Sequence, residues 1–169
     1  MYIQTNRLEL KPITPEAVEQ LMDLLTDDVV KQTYMLPDFD QWEDARPLAE
    51  RIKERSHGER PIVAGIFADG QLVGMINETD AKEDKIEMGY ALLPKFHNRG
   101  YATEALTAII PWLFAYGFRE VIAGAFEGNN ASLRVMAKSG MRKLEYTDEV
   151  EYRGKMRPCT YYGISADEQ

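Results

Sequence analysis

Apolar residues recur along this chain with two periods, and the alternation between them divides it into elements. Arg7-Leu8-Glu9-Leu10 alternates as a strand does. Thr14-Pro15-Glu16 follows, with Thr14 placed to cap a helix and Pro15 suited to its first position. Val18, Leu21, Met22 and Leu25 then fall at i, i+3, i+4 and i+7. A weaker helical pattern covers about Ala45 to Arg55, with Pro47 near its start or kinking it. Pro61 to Ala68 and Gln71 to Thr79 read as strands joined by the hairpin turn Asp69-Gly70, and Ile86 to Leu93 as a strand closed by Pro94. Ala102, Ala105, Leu106, Ile109, Ile110 and Leu113 return to helical spacing, with a local kink predicted at Pro111 and a C-cap at Gly117. A strand from Glu120 to Phe126 leads into Glu127-Gly128-Asn129-Asn130, a loop with helix-capping chemistry. A short helix from Ala131 to Ser139, stopped by Gly140, precedes a hairpin of Met141 to Tyr152 and Lys155 to Ile164 that turns at Arg153-Gly154. Ala166 to Gln169 reads as a frayed tail.

The resulting order, β-α-α-β-β-β-α-β-α-β-β, predicts an α/β (α+β) fold with a mixed sheet of about seven strands and about four helices packed on it. At 169 residues and 44% hydrophobic content, residues 1–169 are expected to form one domain. No apolar run approaches the length of about 18 residues that a membrane span needs, and Met1-Tyr2-Ile3-Gln4-Thr5 lacks the build of a signal peptide, so a cytoplasmic location is expected. Cys159 is the only cysteine, and His57 and His97 are the only histidines, which excludes a disulfide within the chain and a cysteine or histidine metal cluster. Cys159 reads as a packed residue of a tyrosine-rich strand rather than a nucleophile. The net charge of −8 argues against nucleic acid and favours a cationic partner. Lys95, Arg99, Arg134 and Lys138 nevertheless offer a local positive pocket for an anion. Glu78, Asp80, Glu83, Asp84 and Glu87 form an acid-rich run with the composition of a solvated loop.

Chemistry concentrates where the strand ending at Leu93 gives way to the helix beginning near Ala102. The opening turn of a helix carries backbone N–H groups without internal partners and the positive end of the helix dipole. Gly100 removes the Cβ that would keep an anion away from them, so Asn98 to Ala102 can cradle a diphosphate. No G-x-x-x-x-G-K-[ST] loop and no G-x-G-x-x-G fingerprint occurs.

His97-Asn98-Arg99-Gly100-Tyr101-Ala102-Thr103-Glu104-Ala105 resembles the Q/R-x-x-G-x-G/A signature of the GNAT superfamily of acetyl-CoA-dependent N-acetyltransferases, with His97 where Gln or Arg is usual. The order of elements is similar to that superfamily over the whole chain. Thr5-Asn6-Arg7-Leu8-Glu9-Leu10-Lys11-Pro12-Ile13-Thr14-Pro15-Glu16 and Asn130-Ala131-Ser132-Leu133-Arg134-Val135-Met136-Ala137-Lys138-Ser139-Gly140-Met141 resemble its RimJ/RimL-like branch, whose best-known members acetylate protein N-termini. The resemblance implies acetyl-CoA bound with its pyrophosphate on the loop from His97 to Thr103 and its pantetheine along the strand Glu87 to Leu93, splayed there from Glu120 to Phe126. An N–H near Leu92 or Leu93 would meet the thioester oxygen, and Asn130 would contact the pantetheine, cap its helix, or both.

The implied reaction is direct attack by an amine acceptor, either a protein N-terminal α-amine or a small cationic amine. A lysine-like amine is neutral only about once in a few thousand molecules at neutral pH, so a base is needed. Glu87 lies at nearly the spacing from the loop at which the histone-acetyltransferase branch carries its catalytic glutamate, and Glu78 on the preceding strand is the reserve. Glu104 reads as structural, an acid in the first turn of a helix. Met136 stands where many members carry a proton-donating tyrosine, which leaves Ser132 as the candidate for the leaving thiolate. Met136 and His97 together motivate the alternative of a catalytically idle acyl-CoA-binding module. The tyrosines and strands of the C-terminal hairpin leave monomer and homodimer both open.

Overall fold

Residues 1–168 are described by the structure, a computed structural model. Eight strands form one mixed sheet in the order β1-β2-β3-β4-β5-β6-β8-β7, and the chain folds into two compact units, residues 1–77 with 90–105 and residues 78–89 with 106–169.

In the first unit, β1 (Ile3–Gln4) pairs with β2 (Glu9–Lys11), and β2 pairs antiparallel with β3 (Val63–Ala68), Leu10 against Ile66. The sequence pattern does not show the two-residue β1, and it accounts for the sheet having eight strands rather than about seven. β3 and β4 (Gln71–Lys82) form a hairpin whose turn residues Asp69 and Gly70 take φ of 49° and 77°, the left-handed pair that a tight hairpin needs. Thr14 makes no side-chain cap. A 3₁₀ turn at Pro15–Ala17 instead leads into α1 (Val18–Thr26), whose Leu21, Met22, Leu24 and Leu25 are buried. The second helix, α2 (Arg46–Ser56), carries Pro47 in its first turn, where a missing N–H costs nothing. Its Ala49 joins α1, Phe67, Leu72 and Leu93 in one core. At Gly74 a Cβ would stand 2.2 Å from the Ala91 carbonyl oxygen, so only glycine lets the end of β5 (Lys85–Leu92) close on β4.

The second unit contains the hairpin between β4 and β5, turning at Glu83 with φ 56°. Of the acid-rich run, Glu78 and Asp80 therefore lie on β4 and Glu87 on β5, and only Glu83 and Asp84 belong to the turn. In β5, Ile86 and Met88 on either side of Glu87 are buried, and that burial outweighs the polar composition. β5 runs parallel to β6 (Glu120–Phe126), and β6 pairs antiparallel along its whole length with β8 (Lys155–Ser165). β8 is thus interior, and of the C-terminal hairpin only β7 (Arg142–Tyr152) is an edge. α3 (Tyr101–Tyr116) continues through Pro111, and Gly117 ends it with φ 128°. α4 (Asn130–Lys138) packs on β6, β7 and β8 and buries Met136 completely. A 3₁₀ turn at Ala166–Glu168 replaces the expected frayed tail. It is tied down by the Ala166 amide to the Arg119 carbonyl at 2.9 Å and by the Arg119–Asp167 ion pair at 2.8 Å. Gln169 lies outside the described residues.

Candidate active site

The chain leaves β5 at Leu92 and reaches α3 through a 3₁₀ turn at Pro94–Phe96 and residues His97 to Gly100. Asn98 and Gly100 both take left-handed conformations, φ 60° and 79°. Residues of that kind in a tight loop bring successive amides to one concave side, the build of a backbone anion nest. The Glu104 amide donates to the Gly100 carbonyl at 3.0 Å, and the amides of Tyr101 and Ala102 lie ahead of it at the N-terminal end of α3. Lys95 Nζ and Arg99 Cζ lie 5.2 and 5.4 Å from the centre of the Phe96 ring, adding positive charge beside the loop. Asn98, Arg99 and Gly100 are exposed, while Tyr101, Ala102 and Thr103 are half-buried where the helix begins.

His97, which departs from the usual residue of the signature, has a different task. Its Nε2 lies 2.9 Å from the Leu92 carbonyl oxygen, so it donates there and ties the loop to the end of β5. The Leu93 amide donates to the Val73 carbonyl at 2.9 Å. That bond removes Leu93 from the choice of oxyanion donor.

Sequence reasoning missed a brace on this loop. Arg7 holds Glu104 through its Nε at 2.7 Å and Nη2 at 2.6 Å, and its Nη1 donates to the Arg99 carbonyl at 2.8 Å. The Thr5 hydroxyl and the Arg7 amide also donate to Glu104, at 2.5 and 3.0 Å. Burial opposes ionisation of Glu104, yet the hydrogen bonds from Thr5 and Arg7 hold its carboxyl below the ordinary range. Glu104 is structural as expected, but through an anchor 97 residues away rather than through the helix dipole alone. The signal was present in the motif Thr5-Asn6-Arg7-Leu8, although nothing local names its partner. Arg7→Ala is expected to weaken CoA binding about tenfold in calorimetry, because the loop must then be ordered by the ligand. Arg7→Lys should restore little, since a point charge cannot replace the fork. Unchanged affinity in Arg7→Ala would dismiss the brace.

In the other unit, the parallel ladder of β5 and β6 pairs Lys85 with Glu120, Ile86 with Val121 and Glu87 with Ile122; among the described residues it goes no further, although β6 continues to Phe126. Glu87 therefore stands at the last paired position. It is half-buried, and burial first, then the Asp80 carboxylate, push its pKa up, towards the range a general base uses near neutral pH. The Thr79 hydroxyl donates to the Glu87 carbonyl at 3.3 Å. Glu78, on β4, is half-buried too.

Asn129, not Asn130, caps α4, its Oδ1 accepting from the Ser132 amide at 3.2 Å. Asn130 is the first, exposed residue of the helix, Ser132 lies half-buried in its first turn, and Lys138 is exposed in its last. Met136 is a core residue, so its lack of a proton to give reflects packing. Cys159 is buried and its thiol is pushed up by burial, then by the Asp148 and Glu87 carboxylates, the opposite of what a nucleophile requires.

The family model of the acetyltransferase (GNAT) domain matches residues 7–142. The chain belongs to the GNAT acetyltransferase family. An N-acetyltransferase of Bacillus subtilis (strain 168), YoaA, itself uncharacterised, is 27% identical over 146 residues, covering 83% of this chain and 82% of the relative. The solved GNAT-family acetyltransferase from Bacillus anthracis superposes with a TM-score of 0.86 at 25% identity, over 99% of this chain and 100% of that one. RimL, the ribosomal L7/L12 alpha-N-protein acetyltransferase solved with coenzyme A, shares the fold with a TM-score of 0.76 at 18% identity, over 100% of both chains. This acetyltransferase uses acetyl-CoA as its donor and an amine as its acceptor. The residues fit that donor: a left-handed Gly100, the opening turn of α3 and the Arg7 brace suit its diphosphate. With transfer as the family's activity, His97 tied to β5 and Met136 in the core, nothing favours an idle acyl-CoA-binding module. Among the described residues no helix is long and apolar enough to cross a membrane.

Proposed function

We propose that residues 1–169 act as one N-acetyltransferase domain in which a primary amine attacks directly within a ternary complex and Glu87 is the general base. The observation that carries this reading is the end of the parallel ladder at Glu87, which puts a half-buried carboxylate at the last paired position of the strand leading to the phosphate loop. The neutral amine nitrogen forms its bond to the acetyl carbon, and the carbon–sulfur bond breaks. Glu87 takes the proton that the nitrogen sheds, directly or through a water. The departing electron pair rests on sulfur, where the Ser132 hydroxyl supplies a hydrogen bond or a proton. Glu78 is the second carboxylate available to relay that proton. The loop from His97 to Thr103 holds the diphosphate of CoA, the Leu92 amide serves the carbonyl oxygen, Asn130 contacts the pantetheine arm, and Lys138 adds charge for the phosphates.

The N-terminal and α4 motifs support placement in the RimJ/RimL-like branch, and the shared fold with RimL agrees with it. A protein α-amine and a small cationic amine are the two acceptor classes. Acetyl transfer to a panel of amines and peptides, followed by release of free CoA thiol, tests the reading. Acetylated product from at least one amine is expected, and its absence across the panel would refute it. CoA at millimolar concentration should also raise the melting temperature, since a ligand that binds only the folded state stabilises it by about 2.7 kcal/mol at a hundredfold excess over Kd. An unshifted transition would remove CoA as a ligand of this chain.

A further inference from the structure

β6 is an interior strand, paired with β5 on one side and β8 on the other. Its Val121, Ala123 and Ala125 are buried, so Ile122 and Gly124 point to the opposite face. There Gly124 is exposed. An exposed glycine in the middle of a sheet leaves a hollow whose floor is backbone.

Three features wall this hollow. Tyr161 pairs with Gly124, and its ring leans so far over that a Cβ at residue 124 would stand 2.6 Å from the ring's Cε1. Opposite Tyr161 the ladder slips: Lys143 pairs with Tyr162 but Thr147 with Thr160, so Leu144, Glu145 and Tyr146 share the span of a single residue. Such a bulge re-aims side chains. Leu144 lands on Gly163, its Cδ2 3.2 Å from where a Cβ would sit, and Tyr146 stacks on Tyr161 with ring centres 5.1 Å apart. Tyr146 is still 51% exposed. Glu87, in register with Ile122, stands on the same face as Gly124.

The field in the hollow is negative. Glu87, Glu120 and Asp148 all bear on the Tyr146 hydroxyl, against the single ammonium of Lys85, which is itself bridged to Glu120 at 2.5 Å. Burial, then Glu87, Cys159 and Asp148, push the Tyr161 hydroxyl up to about 12, so it stays neutral. Aromatic faces combined with surplus carboxylate select a cation and repel an anion.

We propose that this hollow is the acceptor subsite, and that Tyr146 and Tyr161 make it specific for an aliphatic amine carrying a second ammonium group. The proposal rests on the acetyl-transfer reading with Glu87 at the reacting nitrogen. The second ammonium lies against the exposed face of Tyr146, in the field of Asp148. A protein N-terminus brings one α-ammonium followed by neutral backbone, and offers that station nothing.

Spermidine, butylamine and a tetrapeptide with N-terminal serine, each assayed at saturating acetyl-CoA, test the proposal. Wild-type kcat/KM for spermidine should exceed that for the other two by about a hundredfold. Tyr146→Ala should raise KM for spermidine about tenfold with kcat held within about threefold, and should leave butylamine unaffected. Tyr161→Phe keeps the ring and should keep the KM, whereas Gly124→Ala displaces the ring and should reproduce the loss. Calorimetric titration of the CoA-loaded protein with spermidine should weaken in Tyr146→Ala by the same factor. A kcat/KM for the peptide equal to or above that for spermidine, or a Tyr146→Ala change that is the same for butylamine, overturns the proposal with acetyl transfer intact. No product from any of the three amines overturns the transfer reading, and the acceptor subsite with it.

Discussion

Glu87→Gln is expected to lower kcat by about a hundred- to ten-thousand-fold while CoA affinity stays within about twofold. The side chain keeps its shape and loses only its ability to accept a proton, and it stands at the last paired position of the parallel ladder. The pH profile supplies the second readout. Burial and Asp80 raise the carboxyl's pKa, so the wild-type rate should rise with pH through a value above the ordinary carboxylate range, as the base becomes deprotonated. In Glu87→Gln that limb should vanish, leaving a rise set by the free amine. Stability moves the other way. The folded state holds this proton more tightly than the unfolded chain, so the residue's contribution falls as pH climbs from the ordinary carboxylate range through the raised value. The variant should therefore be at least as stable as wild type at neutral pH, and a lost rate cannot be blamed on unfolding. Near-normal turnover with an unchanged profile would transfer the role to Glu78 or to solvent.

Gly100→Val is expected to raise the CoA dissociation constant by about a hundredfold or more with the fold retained. Its effect has two sources. The residue sits at φ 79°, a conformation a β-branched side chain resists, and its Cβ would stand 3.3 Å from Arg7 Nη2, inside the brace that shapes the loop. Gly100→Asn separates them, because asparagine tolerates the left-handed region. It should keep the backbone and lose affinity only through its bulk, falling between wild type and Gly100→Val in calorimetry. Unchanged CoA affinity in a folded Gly100→Val protein would detach the loop from the cofactor.

Much of this reading was legible because it is local. Glu120–Phe126 was bounded as the structure has it, since an alternating run between turn residues needs no distant information. The turns at Asp69-Gly70 and Arg153-Gly154 were likewise visible, because few residue types adopt positive φ readily. The loop proposed for the diphosphate announced itself through a strand, a glycine and a helix in immediate succession, and the family resemblance was carried by it.

The tertiary structure decided what depends on residues brought from afar. Arg7 meets Glu104 across 97 positions, and no periodicity encodes that meeting. Asn129 and Asn130 are both good caps, and only the path out of β6 selects Asn129. The acids from Glu78 to Glu87 differ little in composition, but register buries Glu87 part-way and leaves Asp80 exposed. The slip that sets Tyr146 on Tyr161 is a property of two strands paired with each other. Local periodicity determined the elements and the glycine loop between β5 and α3, because dihedral preference and the burial of one face act within a few residues. Strand pairing alone decided which carboxylate sits where the ladder ends and what lines the hollow beside it, because desolvation and stacking depend on neighbours that the chain reaches only by folding.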